Sequence, residues 1–295
     1  MQTFFLCLLQ IILYTLGVPI ACGLAIEICY RLCFLLMGRR AGKVYWALTS
    51  WLGTPIHELG HALMCLLFAH HIETIRLVPT KAGGAMVEHS YDRKNLYASF
   101  GNLWIGLGPI LLGLCVIFAV LYAVYPESMA SYRTAVTELL REGKPVTLVW
   151  QRIGEFIHGL FSEGTRPMWV RALAVIVLFS MSLHVRLSAS DILGMLPGMP
   201  IYFALSALVS LVFALMGQVW LAKLTLWLRQ AAWVVVSLFS LILLFAALQL
   251  ALVIVYRLLY GIFSLIAGKR GVAYEAPDST LFQDYRDRDW EEFRR

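Results

Sequence analysis

Apolar residues run almost unbroken over six stretches: Phe4–Met37, Val44–Ala69, about Leu96–Tyr125, Met168–Leu187, Ile201–Leu221 and Trp233–Ala267. Runs this long and continuous predict membrane-spanning helices rather than amphipathic surface helices. The expectation is an all-α polytopic membrane protein with about six transmembrane helices. The first run would reach roughly 50 Å as one helix, beyond a hydrocarbon core of about 30 Å. Its span is therefore expected to end near Ile26, with Glu27 and Arg31 forming an i,i+4 pair at the interface. The run is too long for a signal sequence and is read as a retained span.

The polar interruptions divide the chain further. Gly38–Lys43 reads as a basic connector, so residues 1–43 form a first helix with its linker. Residues 44–200 form the chemical core. Within it, Ile72–Val78 and Ala85–Ser90 alternate like short strands around Pro79–Gly84, predicting a small β-hairpin over 72–90 after the second span. The connector 126–167 has helical apolar spacing over Thr134–Arg141 and Leu148–Phe161, as helices lying on a membrane surface would. Residues 201–267 supply two more spans, joined by a short turn flanked by Lys223 and Arg229. The mixed-charge tail 268–295 reads as a solvated end.

Composition agrees. Of 295 residues 60% are hydrophobic and 14% charged, where a soluble domain carries about 25% charged residues. A net charge of +6 spread over loops gives no support for nucleic-acid binding. The six cysteines all lie in apolar runs without a Cys-x-x-Cys pair, which argues against both a disulfide framework and a thiolate metal site.

Candidate chemistry centres on His57-Glu58-Leu59-Gly60-His61. Residues four apart share a helix face, so the two imidazoles can hold one Zn²⁺, and the adjacent carboxylate can take a proton from a water on the metal. Two histidines and a glutamate within an apolar span are costly and mark function. Gly60 keeps the helix surface thin enough for another backbone to approach. Thr54-Pro55 just before the motif either restarts a helix or kinks a continuous one.

A catalytic zinc needs a third protein ligand. Asp191 is the best-placed acid, after an apolar span and among Ser188, Ala189 and Ser190. The competing reading makes Ser188-x-x-Asp191 a capping box that starts a new helix. His184 is open to three readings: an alternative ligand, a partner of the ligands, or an interfacial histidine.

An intramembrane His-Glu-Leu-Gly-His, a hairpin-like segment after it, Gly108-Pro109 in the next span and a later Ser-x-x-Asp together resemble the site-2 protease family of intramembrane zinc metalloproteases (peptidase family M50, M50B-like members). The likeness covers roughly residues 44–200. It implies a three-helix catalytic core, zinc on His57, His61 and Asp191, and Glu58 as the group that activates water. The chain departs from the family's distal Leu-Asp-Gly pattern, since Ser190 precedes Asp191 and Ile192 follows it, and no PDZ-like domain fits in the connector. The implied partners are a membrane-anchored protein substrate, the lipid bilayer and a regulator on a separate membrane protein.

His184, Ser188, Asn102 and Val87 are the further candidates for contact with substrate or with the ligands. The hairpin edge is expected to take the substrate as an added strand. The charged tail and the family likeness favour cytoplasmic termini in a multi-pass protein of the cell membrane, while the basic connector favours the opposite orientation. Alternatives are a zinc-holding scaffold or chaperone that does not cut, and a membrane zinc protease with a cytosol-facing site and a glutamate as third ligand. Transport ranks last.

Overall fold

The structure, a computed structural model, describes residues 2–78, 84–142, 147–161 and 166–266. Most of the expected hairpin turn and the charged tail lie outside them. The elements are α1 (Gln2–Ile12), a π-helical turn (Leu13–Gly17), α2 (Val18–Leu67), β1 (His71–Arg76), β2 (Met86–Ser90), α3 (Leu96–Val124), α4 (Pro126–Glu142), α5 (Thr147–Phe161), α6 (Met168–Ser182), α7 (Ala189–Met195), α8 (Met199–Met216) and α9 (Gln218–Ile266).

Among the described residues, four helical stretches are long and apolar enough to cross a membrane: Phe4–Gly38, Leu96–Val124, Ala189–Met216 and Gln218–Ile266. Two of the six expected spans are therefore not matched. The motif-bearing part of α2 is diluted by its own basic and site residues. Helix α6 has 15 residues, about 22 Å at 1.5 Å per residue, short of the hydrocarbon core. The apolar run after Ser182 leaves the helix instead of extending it.

Several boundaries also move. The helix of the first run continues past Ile26 to Gly38, and Glu27, buried within it, pairs with Arg31 at 2.6 Å as expected. The basic connector is no loop. Its whole departure from helix is Gly38, at φ 72° and ψ −179°, a conformation essentially reserved for glycine. Pro55 sits inside α2 without a break, so of the two readings the continuous helix is the one found. The last turn falls at Gly217 (φ 97°) rather than between Lys223 and Arg229, which both lie in α9.

The chain divides into two compact units. One comprises the N-terminal stretch through Cys22, Leu114–Leu178 and Gly198–Ile242. Here α4 and α5 pack together and bury Met129, Tyr132, Ala135, Ile153 and Phe156. The Tyr132 hydroxyl donates to the Ser237 carbonyl at 2.5 Å and lies 2.9 Å from Ser240 Oγ. The two helices expected from the apolar spacing of the connector are found, and their apolar faces pack on protein.

The second unit, Gly23–Gly113, Phe179–Pro197 and the chain from Leu243 on, carries the site. β1 and β2 pair antiparallel, with Ile75 opposite Val87, Thr74 opposite Glu88 and an irregularity between Ile72 and Thr74. This is the expected hairpin. Val87 is buried with Ala62, Cys65 and Ile105, which fixes the sheet to α2 and α3. Asn95 caps α3, its Oδ1 accepting from the N–H groups of Tyr97 and Ala98 at 3.0 and 3.3 Å. The α2 and α3 backbones meet at Gly60 and Gly108, where a Cβ on Gly60 would come within 2.6 Å of the Gly108 carbonyl.

Candidate metal centre

Three elements meet around one point. α2 brings His57 and His61 to one face, their rings 5.1 Å apart. α7 brings Asp191. His61 Nε2 lies 3.1 Å from Asp191 Oδ1, and His57 Nε2 lies 3.7 Å from Asp191 Oδ2. Ligand atoms of the three residues all fall within 4.8 Å of one another.

Backbone carbonyls hold both imidazoles. His57 Nδ1 donates to the His184 carbonyl at 2.9 Å, and His61 Nδ1 donates to the Ile105 carbonyl of α3 at 2.8 Å. A carbonyl only accepts, so each Nδ1 carries the proton and each Nε2 turns a lone pair inward. Orientation of this kind is what metal-binding histidines need.

Asp191 is fixed by the turn that starts α7. Ser188 is its N-cap, with extended φ −77° and ψ 162°. Asp191 Oδ2 accepts from Ser188 N–H at 2.9 Å and from Ser188 Oγ at 2.7 Å. The capping box and the approach to the histidines coexist, so the two sequence readings of this aspartate are one arrangement.

The donor set fits a cation. Two imidazole lone pairs and a carboxylate are all acceptors, and acceptors brought this close in a buried site repel unless positive charge sits between them. Two nitrogens and one oxygen suit Zn²⁺, with a fourth position left open. Glu58, next to His57, is buried, and its Oε2 has no hydrogen-bond partner among the described residues. A buried carboxylate oxygen left this way calls for a donor such as water.

The other candidates fall into place unevenly. Ser188 supports Asp191 directly. His184 is not grouped with the ligands. Its ring lies 2.8 Å from the Ser180 carbonyl through Nδ1, and it acts on His57 through its own main-chain carbonyl. Asn102 is buried and donates to Ser99 in its own helix at 3.1 Å. Val87 faces the core rather than an open groove. The carbonyls of His184 and Ile105 escaped the sequence reading, because any residue can supply a carbonyl. Gly60, read there as a point of close approach, does meet α3.

The fold and site thus define a helical protein with spans apolar enough to cross a membrane and a His/His/Asp cluster, half-buried at His57 and buried at His61 and Asp191, with a glutamate adjacent in sequence. Residues 25–183 match the Peptidase M50B-like family model. That is more than half of the chain, and the chain belongs to this family. The matched stretch holds His57, Glu58 and His61 and stops before Asp191. No curated protein and no solved structure matches the chain.

Proposed function

We propose that the protein is an intramembrane zinc metalloprotease that hydrolyses peptide bonds of a membrane-anchored protein. The observation that carries this reading is the convergence of acceptor atoms from His57, His61 and Asp191 beside the unpartnered Glu58 Oε2. Zinc, when bound, supplies a Lewis acid that acidifies a water and polarises a carbonyl.

The chain's own residues do the rest. The Ile105 and His184 carbonyls hold the imidazoles in one tautomer, and Ser188 holds the Asp191 carboxylate in place. Glu58 would take a proton from water and return it to the leaving amine, the work of a general base and then a general acid. Burial keeps bulk water from competing for these groups.

Asp191 in the third position speaks against a glutamate as third ligand. A scaffold that merely holds zinc has no use for a buried carboxylate with one oxygen left without a partner among the described residues, which speaks against that alternative. The test is Glu58→Gln in purified protein, with zinc content and cleavage of a membrane-anchored substrate measured side by side. Retained zinc with cleavage lowered about 10²–10⁴-fold is expected. Wild-type cleavage by this variant would overturn the proposal.

A further inference from the structure

The segment between α6 and α7 has no regular structure from Val185 to Ser188, yet it supplies both supports of the site. The His184 carbonyl orients His57, and Ser188 orients Asp191. Arg186 lies midway between them. Its Nη1 donates to Glu27 Oε2 at 2.6 Å, and its guanidinium carbon stands 4.2 Å from the centre of the Tyr30 ring. Glu27 is buried inside a membrane-length helix and also accepts from Arg31 Nε at 2.6 Å.

The neighbours of Arg186 point the other way, as alternate residues of an extended chain do. Val185 packs where a Cβ on Gly113 would come within 2.4 Å, and Leu187 where one on Gly23 would come within 3.0 Å. Packing of the two apolar residues limits how deep the segment sits. The ion pair ties the segment to one position along the helix that carries Glu27. An ionised pair at this depth is expensive and needs a reason.

We propose that the Glu27–Arg186 ion pair is a positioning device for the metal centre: it pins the 184–188 segment so that the His184 carbonyl and Ser188 hold His57 and Asp191 at metal-binding distance. Arg186 and Glu27 are positioning residues, and the inference rests on the proposed zinc site.

Zinc affinity is the readout, measured by chelator competition on purified protein and supported by the visible spectrum of the Co²⁺-loaded form. Glu27→Gln and Arg186→Gln should each lower zinc affinity about 10–100-fold, the usual effect of losing a support behind a ligand, and should shift the Co²⁺ bands. Arg31→Gln is the control. Arg31 also contacts Glu27 but lies outside the segment, so its loss should leave affinity and spectrum as in wild type.

Should either single variant fail to fold, Glu27→Leu/Arg186→Met removes both charges together, a change that folds tolerate. It should fold and still show the weaker affinity. Wild-type affinity and spectrum in the folded variants would overturn the pinning role, as would an equal loss in Arg31→Gln. Absence of zinc binding by the wild-type protein would instead overturn the reading of the site itself.

Discussion

Ser188 and Asp191 close a reciprocal pair: the serine hydroxyl lies 3.2 Å from the Asp191 N–H, and Asp191 Oδ2 accepts from the serine's own N–H and hydroxyl. Oδ2 both closes the cap and lies 3.7 Å from His57 Nε2, and Oδ1 faces His61 at 3.1 Å. The turn that starts α7 is thus also the turn that aims the carboxylate at the histidines.

Ser188→Ala should therefore be felt twice. Loss of the cap should cost about 1 kcal/mol of stability, and loss of the support to Asp191 should weaken zinc binding about tenfold. Asp191→Ala should abolish tight zinc binding, whereas Glu88→Ala should leave it intact. Metal analysis and thermal unfolding on the three variants check this. Full zinc retention in Asp191→Ala would remove Asp191 as a ligand.

Gly60→Ala should be disruptive for a reason unrelated to the metal. The added methyl meets Gly108 backbone at 2.6 Å, and no side chain can swing away. A loss of about 1–3 kcal/mol is expected. Gly194→Ala, in α7 with nothing within 4 Å, should instead gain roughly 0.5–1 kcal/mol. Thermal unfolding of the two variants distinguishes a packing contact from a general intolerance of side chains near the site.

The hairpin should act as a docking edge for an unwound substrate, whose backbone groups need partners in lipid. Proline at Glu88 or Met86 removes one backbone N–H each. The two residues lie two apart in β2, so their N–H groups face the same edge and cleavage should fall at both while zinc content stays near wild type. Val87→Pro is a poor probe, since Val87 is part of the core and its loss would lower stability by itself. Unchanged cleavage in both variants would overturn docking at the edge these two positions face.

His70 makes the fold sensitive to acid. Burial lowers its pKa below the ordinary value of 6.5, and the bond from Nε2 to the Ala98 carbonyl at 2.8 Å opposes this only in part. Its Nδ1 lies 2.9 Å from His89 Nδ1. The folded state thus prefers the neutral ring, and the unfolded chain binds the proton first. Stability from this site is fully present above about pH 6.5 and is lost as pH falls through the lowered folded value. Thermal midpoints between pH 7.5 and 5.5 should fall more steeply in wild type than in His70→Gln.

The parts of the site legible in sequence are those where residue type and spacing decide. His57 and His61 share a face because a helix repeats every 3.6 residues, and Asp191 stands out because acids are rare beside apolar runs. The hairpin was legible from alternation and glycine. The ends of helices were not. Leu183, Val185 and Leu187 are as apolar as the helix before them, and only the polar residues between them show a period of two. The Glu27–Arg186 pair joins positions too far apart in sequence for any local pattern. Glu27 itself was visible as a charge in an apolar run, and only the fold supplies Arg186 as its second partner.

Gly38 gives the chain a joint one residue long, and such a joint has no slack. Helix runs from it through Pro55 to the two histidines, so each residue inserted or deleted on the way would swing them about 100° around the axis and move them about 1.5 Å along it. A single-residue insertion would turn the imidazoles away from Asp191, while a seven-residue insertion would nearly restore their direction at the wrong height. The stretch from Gly38 to His61 works as a ruler, and in related chains it should be free to change its letters before it can change its length.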